Sequence, residues 1–197
     1  MNRRHVIAAA ALAIGLAGVV AGCSSSHDSK GSQGSFALRL GATGTPAAGT
    51  APSILADGDD ALSHLKGAVI TISGIEARSS DGSWVPVETG LPADVDVMSI
   101  MKGGTAATLP ADLLPDGDYD TLGLRITAVR LALPNDATLA IAPPGTGWTV
   151  RIPVNFSIVA GQSTVVALNL RGPDSFQSFD GRFEFDPEFE VVGVEHH

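Results

Sequence analysis

From Phe36 onward the chain is written largely in a two-residue rhythm. Trp148, Val150, Ile152, Val154, Phe156 and Ile158 share one parity, and Thr149, Arg151, Pro153, Asn155 and Ser157 share the other. Such alternation predicts a strand with one face on a core and one on water. Pro153 has no N–H to give a ladder, so this strand is expected at a sheet edge or bulged at that point. Phe36, Leu38 and Leu40 predict a first strand, and Val166, Leu168 and Leu170 another after a Gly161-Gln162 turn. Phe183, Phe185, Phe189 and Val191 alternate with Arg182, Glu184, Asp186, Glu188 and Glu190 near the end.

Two segments break the rhythm. Ile70 and Ile72 lie on one parity, Ile75 and Ala77 on the other, and Gly74 sits at the break. A β-bulge there would restore the inward face. The stretch Leu109–Leu133 passes in the same way from Leu122, Leu124 and Ile126 to Val129, Leu131 and Leu133. Asp81-Gly82 predicts a tight hairpin leading to Trp84, Val85 and Val87. Val95–Met101 is expected to be a short strand after the Leu91-Pro92 turn, and Gly41–Ser53 a loop. Asp59–Leu65 is expected to be a short helix with Asp59 as its N-cap. About eight or nine short strands, with turn residues between them and almost no helical period, predict an all-β chain folded as an antiparallel β-sandwich. The alternation argues against a parallel sheet covered on both faces.

The N-terminus follows a different pattern. Arg3, Arg4 and His5 precede sixteen apolar residues, Val6 to Ala21, too few to span a bilayer and suited to the core of a signal peptide. Val20-Ala21-Gly22-Cys23, followed by Ser24-Ser25-Ser26, resembles the lipobox of bacterial lipoproteins, in which the cysteine thiol is diacylated after cleavage. Residues 1–22 are therefore expected to be a lipoprotein signal peptide and 23–34 the lipidated Cys23 with a polar, Gly/Ser-rich flexible tether. The sandwich domain is expected over 35–195. Acyl chains such as palmitate, at about 0.8 kcal/mol per buried CH₂, would make the lipid bilayer the first partner. Ser24 resembles the outer-membrane sorting signal of Gram-negative lipoproteins, which implies an outer-membrane address in the cell envelope. Cys23 is the only cysteine, so the chain offers neither a disulfide nor a thiol nucleophile.

Charge narrows the partners further. Without residues 1–22, Lys+Arg falls from 12 to 10 against 21 Asp+Glu, a net charge of about −11. An acidic surface with no basic run repels phosphates, and nucleic acid is excluded as a partner.

Candidate chemistry is sparse. Asp116, Asp118 and Asp120 are spaced by two, so an extended backbone puts them on one side, where hard carboxylates could hold Ca²⁺. An EF-hand-like loop starting at Asp116 needs an acid at its twelfth position, where Thr127 stands; Asp116-Gly117 is also an ordinary turn pair. Asp57, Asp59 and Asp60 form a looser acidic group. Tyr119, the only tyrosine, follows a Leu-Pro turn and opens a strand, which suits a tyrosine corner with its hydroxyl bonded to backbone upstream. Trp148 falls on the apolar parity of its strand and is expected in the core, whereas Trp84, just past a hairpin turn, is the candidate for ligand or sugar stacking. Hydrolytic sets are missing: His64 is the one histidine inside the domain before the terminal His196-His197, and no Gly-x-Ser-x-Gly or His-Glu-x-x-His occurs. The carboxylate pairs Glu184/Glu188 and Asp94/Asp96 alternate with apolar residues as a solvated sheet face does.

Leu65–Ser80, Asp81-Gly82-Ser83-Trp84, Val95–Ile100, Leu114-Pro115-Asp116-Gly117-Asp118-Tyr119 and the Arg125 strand follow one another in an order that resembles a bacterial lipoprotein family, domain of unknown function 4382. The likeness covers roughly residues 35–192. It implies a secreted, lipid-anchored β-sandwich of transthyretin-like or carboxypeptidase-regulatory type, and it supplies no catalytic residues. Where the family often carries an Asp-Ala-Pro-like turn, this chain has an Ala/Gly-rich loop with Ala51-Pro52. The expectation is a non-enzymatic envelope module with a binding or structural role, its partner an envelope protein or glycan. The alternatives are a Ca²⁺-dependent or glycan-binding adhesion domain, which the Asp clusters and Trp84 would serve, and an envelope enzyme with a carboxylate site.

Overall fold

The computed structural model describes residues 31–43, 62, 65–87, 90–179 and 182–197. The expected signal peptide, Cys23 and most of the tether lie outside the described residues, as do Asp57, Asp59, Asp60 and His64. Of the expected helix Asp59–Leu65 only Leu62 and Leu65 are described, and both are buried.

The elements run β1 (Gln33–Thr43), β2 (Gly67–Ser79), β3 (Trp84–Val87), β4 (Ala93–Asp96), α1 (Val97–Met101), β5 (Ala107–Pro115), β6 (Gly117–Ala132), β7 (Thr138–Ile141), β8 (Trp148–Ile158), β9 (Ser163–Arg171), α2 (Gly172–Ser175), β10 (Phe176–Phe179), β11 (Arg182–Phe185) and β12 (Phe189–His196). One sheet has the order β12-β9-β1-β5. The other is built on the long β2–β6 pair: β3 and β4 share the outer edge of β2, and β7 and β8 share the outer edge of β6. β10 and β11 form a separate hairpin. The expected all-β sandwich is present. Its strands outnumber the expected eight or nine because β3, β4, β7, β10 and β11 are only four residues each. One pair, β1 with β9, is parallel, from Ser35 beside Ser163 to Thr43 beside Arg171.

The inward parities meet in one cluster. Phe36, Leu38 and Leu40 of β1 and Val166, Leu168 and Leu170 of β9 are buried with Ile70, Ile72, Leu122, Leu124, Ile126, Ile152 and Phe156 of the other sheet. Each such side chain contributes about 1.5–3 kcal/mol over leaving it in water. Trp148 is in this core, as its parity predicts, edge-on to Phe185 at 5.1 Å. Pro153 lies on the outer face of β8, at the edge of its sheet, and the β6–β8 register shifts between Tyr119 and Thr121, beside it.

The two breaks in rhythm turn out to be one feature. Along β2 and β6, Thr71 stands opposite Ala128, Ile72 opposite Ile126 and Gly74 opposite Arg125, so Ser73 and Thr127 are each left without a cross-strand partner. Both strands change face at the same level. Ile70 therefore meets Val129, Ile72 meets Ile126, Ile75 meets Leu124 and Ala77 meets Leu122, and all eight are buried. The flanking strands stop there too. β3 pairs with Ile75–Arg78 and β4 with Val69–Ile72; β8 pairs as far as Ile126, and β7 starts at Val129. A seam thus crosses the whole sheet.

Two expectations are corrected. The Val95–Met101 strand ends at Asp96, whose side chain accepts a 2.9 Å hydrogen bond from the Ser99 N–H and caps α1, with Val97 and Met98 buried beneath it. An Asp that satisfies a free helical N–H outweighs the weak alternation of so short a run. The alternating run from Arg182 to Val191 is two strands, because Asp186, Pro187 and Glu188 turn the chain from the β10–β11 hairpin to the edge beside β9. Among the described residues no helix is long and apolar enough to cross a membrane.

Candidate functional site

The seam opens a groove of about 380 Å³ on the β2–β6 sheet, lined among others by Ser73, Glu76, Pro86, Leu91, Arg125 and Thr149. Its shape follows from local sequence. The gap between β3 and β4 leaves the β2 edge uncovered at Ser73-Gly74, and Gly123 lets the Glu76 side chain lie down on β6. A Cβ at position 123 would stand 2.6 Å from Glu76 Cγ and 2.9 Å from its Oε1. Neither Glu76 nor Arg125 has an ion-pair partner among the described residues, so the groove holds one carboxylate and one guanidinium, with Ile75, Val87 and Leu124 beneath them turning their side chains into the core. Such a surface can hydrogen-bond and bind.

Trp84 stands on the same face, half-buried, opposite Arg78 on β2. The Arg151 guanidinium reaches over it from β8, 5.1 Å from the ring centroid. The ring face on which a sugar would stack thus carries a cation from the chain itself.

Asp116, Asp118 and Asp120 are each engaged by a different group. Asp116 accepts from the Ser32 hydroxyl at 2.7 Å, Asp118 from the Ser157 hydroxyl at 2.6 Å, and Asp120 from Arg78 Nε and Nη2 at 2.7 and 2.9 Å. The Arg78 hydrogen bonds, helped by the Thr121 hydroxyl, hold the Asp120 carboxyl below the ordinary carboxylate value. No group of three or more His, Cys, Asp or Glu side chains among the described residues is arranged to hold a metal ion. Of the other carboxylate pairs, both members of Asp94/Asp96 are occupied, and of Glu184/Glu188 only Glu188 is, among the described residues. Asp94 accepts from the Thr71 hydroxyl at 2.6 Å and pairs with Arg130, and these partners lower its pKa. Asp96 caps α1, and Glu188 lies 3.5 Å from Arg171.

Tyr119 is a corner residue, as the Leu-Pro turn before it predicts. Its hydroxyl donates to the Pro115 carbonyl at 2.9 Å, and its ring stacks on Phe156 at 5.1 Å. The bond clamps the point at which the chain leaves β5 in one sheet and enters β6 in the other. Burial, with the nearby Asp116 and Asp81 charges, raises the Tyr119 pKa.

Sequence reasoning missed the groove itself. The signals that point to it, Gly74 at one change of parity and the passage from Ile126 to Val129 at the other, gain that meaning only once the two strands are known to be paired in register.

Comparisons with curated proteins and with solved structures return no match. A family model, Domain of unknown function (DUF4382), matches residues 55–187. That range leaves out β1, which joins β9 to β5 in the middle of its sheet, and β12 at the edge, so the folded unit extends beyond the match on both sides. The chain belongs to the family of Domain of unknown function (DUF4382).

Proposed function

We propose that this chain is a lipid-anchored β-sandwich module of the cell envelope, acting by binding or as a structural element and not by catalysis. The observation that carries the reading is Val20-Ala21-Gly22-Cys23 followed by a polar segment that leads directly into β1. Of the described carboxylates that a catalytic reading would draw on, Asp94, Asp96, Asp116, Asp118, Asp120 and Glu188 are tied to hydroxyls, arginines or a helix cap, and Glu184 alone is not. That supports a non-catalytic role. The groove along the seam favours a binding role over a purely structural one, because it keeps Glu76 and Arg125 free of ion pairs among the described residues. Fractionation of cells producing the full chain or Cys23→Ser tests the anchor. The full chain is expected with the membranes and Cys23→Ser in the soluble fraction; a variant that still sediments with membranes contradicts the reading. A glycan array probed with and without a chelator tests the alternative Ca²⁺-dependent or glycan-binding role.

A further inference from the structure

The place where the tether joins the sandwich sets which end of the domain meets the bilayer. Ser32 is fastened to the β5–β6 turn: the Asp116 N–H donates to its carbonyl at 2.8 Å, and its hydroxyl donates to the Asp116 carboxylate at 2.7 Å. One residue on, the Gln33 carbonyl accepts from the Gly161 N–H at 3.0 Å, and Ser35 N–H donates to the Gln162 carbonyl at 2.8 Å. Gly34 packs so closely on the Val159 carbonyl that an added Cβ would also stand 2.8 Å from Ile158 Cγ2. The exit point is therefore fixed at the end of the sandwich that also holds the Ser79–Ser83 turn and the terminal Ser163–His197 backbone pair.

Distances then restrict the orientation. From position 23 to position 32 the chain reaches about 30 Å at most, at about 3.3 Å per residue. β6, with 16 residues, runs from this end to the other, about 50 Å at the same rise. An anchor at Cys23 cannot let the domain stand upright on its α1 end, because the exit point would then be farther from the bilayer than the tether extends. The surface at the exit suits a lipid interface. Leu113, on β5 opposite Ser35, is 58% exposed, and Val159, beside Gly34, is 44% exposed, so two large apolar side chains flank the start of β1. The Ser79–Ser83 turn, Asp116 and the 159–162 turn carry Asp81 and Asp116 and no Lys or Arg, which favours a zwitterionic over an anionic surface.

We propose that the end of the sandwich bearing Ser32, Asp116 and Val159 faces the bilayer, with Leu113 and Val159 meeting its interfacial layer and the α1 end held away. This inference rests on the anchor proposed above. The test uses the full chain, made in a bacterial host that acylates lipoproteins and reconstituted in phosphatidylcholine vesicles that carry a headgroup nitroxide. Leu113→Cys, Val159→Cys and Thr105→Cys, the last at the opposite end just before β5, each take a fluorescent label. The expected result is flotation of all three with the vesicles and quenching several-fold stronger at 113 and 159 than at 105. Flotation with equal quenching, or stronger quenching at 105, overturns the orientation alone. Loss of flotation overturns the anchor and this inference with it.

Discussion

The Tyr119 hydroxyl donates a hydrogen bond of 2.9 Å to the Pro115 carbonyl, four residues upstream and across the turn that carries the chain from one sheet to the other. Pro115 is itself exposed, so water replaces the lost donor in Tyr119→Phe, and the Phe156 stack remains available to the new ring. The expected loss is about 1 kcal/mol, the net value of one neutral hydrogen bond. Urea denaturation checks it: the midpoint falls while the slope stays that of the parent.

The pH dependence of stability has two limbs. Asp120, Asp94, Asp81 and Glu195 have pKa values lowered by, respectively, hydrogen bonds from Arg78, the Thr71 hydroxyl, the Ser83 backbone and Arg39. A carboxyl depressed in the folded state contributes stability above its unfolded value, 3.8 for Asp and 4.5 for Glu, and loses it as the pH falls through the folded value. Tyr119 is the reverse case. Its raised pKa favours the folded state below the ordinary value of 10.0, and that contribution is lost as the pH rises further. Thermal melts across the range are expected to show both limbs. Tyr119→Phe should lose part of the alkaline limb and Arg78→Met part of the acid one; variants with the parent profile contradict the assignment.

Gly123 and Glu76 are coupled by contact. Gly123→Ala places a methyl 2.6 Å from Glu76 Cγ and forces that side chain off its resting place, at a cost of about 1–2 kcal/mol for overpacking. In a Glu76→Ala background the obstruction is gone, and the same change is expected to stabilise by about 0.5 kcal/mol through the entropy of the unfolded chain. The change of sign, read from a double-mutant cycle, is the signature; equal effects in both backgrounds contradict the contact.

The paired bulges make a stronger claim. Each bulge is one extra residue in an otherwise alternating strand, so its removal leaves the faces as they are: without Thr127, Val129 falls two places after Ile126 and stays inside, and without Ser73, Ile75 falls two places after Ile72. Deleting Arg125 instead makes Leu124 and Ile126 neighbours, so that one of the two turns toward water, at about 1.5–3 kcal/mol, a large part of the about 5–15 kcal/mol that holds a domain together. In urea the Thr127 deletion is therefore expected to unfold at a higher midpoint than the Arg125 deletion. Equal midpoints, or a lower one for the Thr127 deletion, contradict the placing of the bulge.

Much of this was legible in the chain. Parity placed Trp148 in the core, Pro153 at an edge and a bulge near Gly74, and the Leu-Pro turn before Tyr119 announced the corner. These features are local, set by residues within a few positions of one another. The parallel β1–β9 pair was not legible, because a half-buried strand alternates in the same way whichever direction its neighbour runs. Helix α1 was hidden by its length of five residues, too short to show a period, and rests on the cap from Asp96. The groove depends on which strands pair and where β3, β4, β7 and β8 stop, and none of these is written at one place in the sequence. Asp116, Asp118 and Asp120 share a spacing, yet they are separated chemically by Ser32, Ser157 and Arg78, partners 84, 39 and 42 residues away in the chain.

The central claim is that the chain is held to a membrane through Cys23, and the N-terminus of the mature protein tests it most directly. Mass spectrometry of the protein purified from a lipoprotein-processing host is predicted to find a chain that begins at Cys23 and carries the added mass of its acyl chains. A mature chain that begins elsewhere, or that has an unmodified Cys23 thiol, contradicts the account.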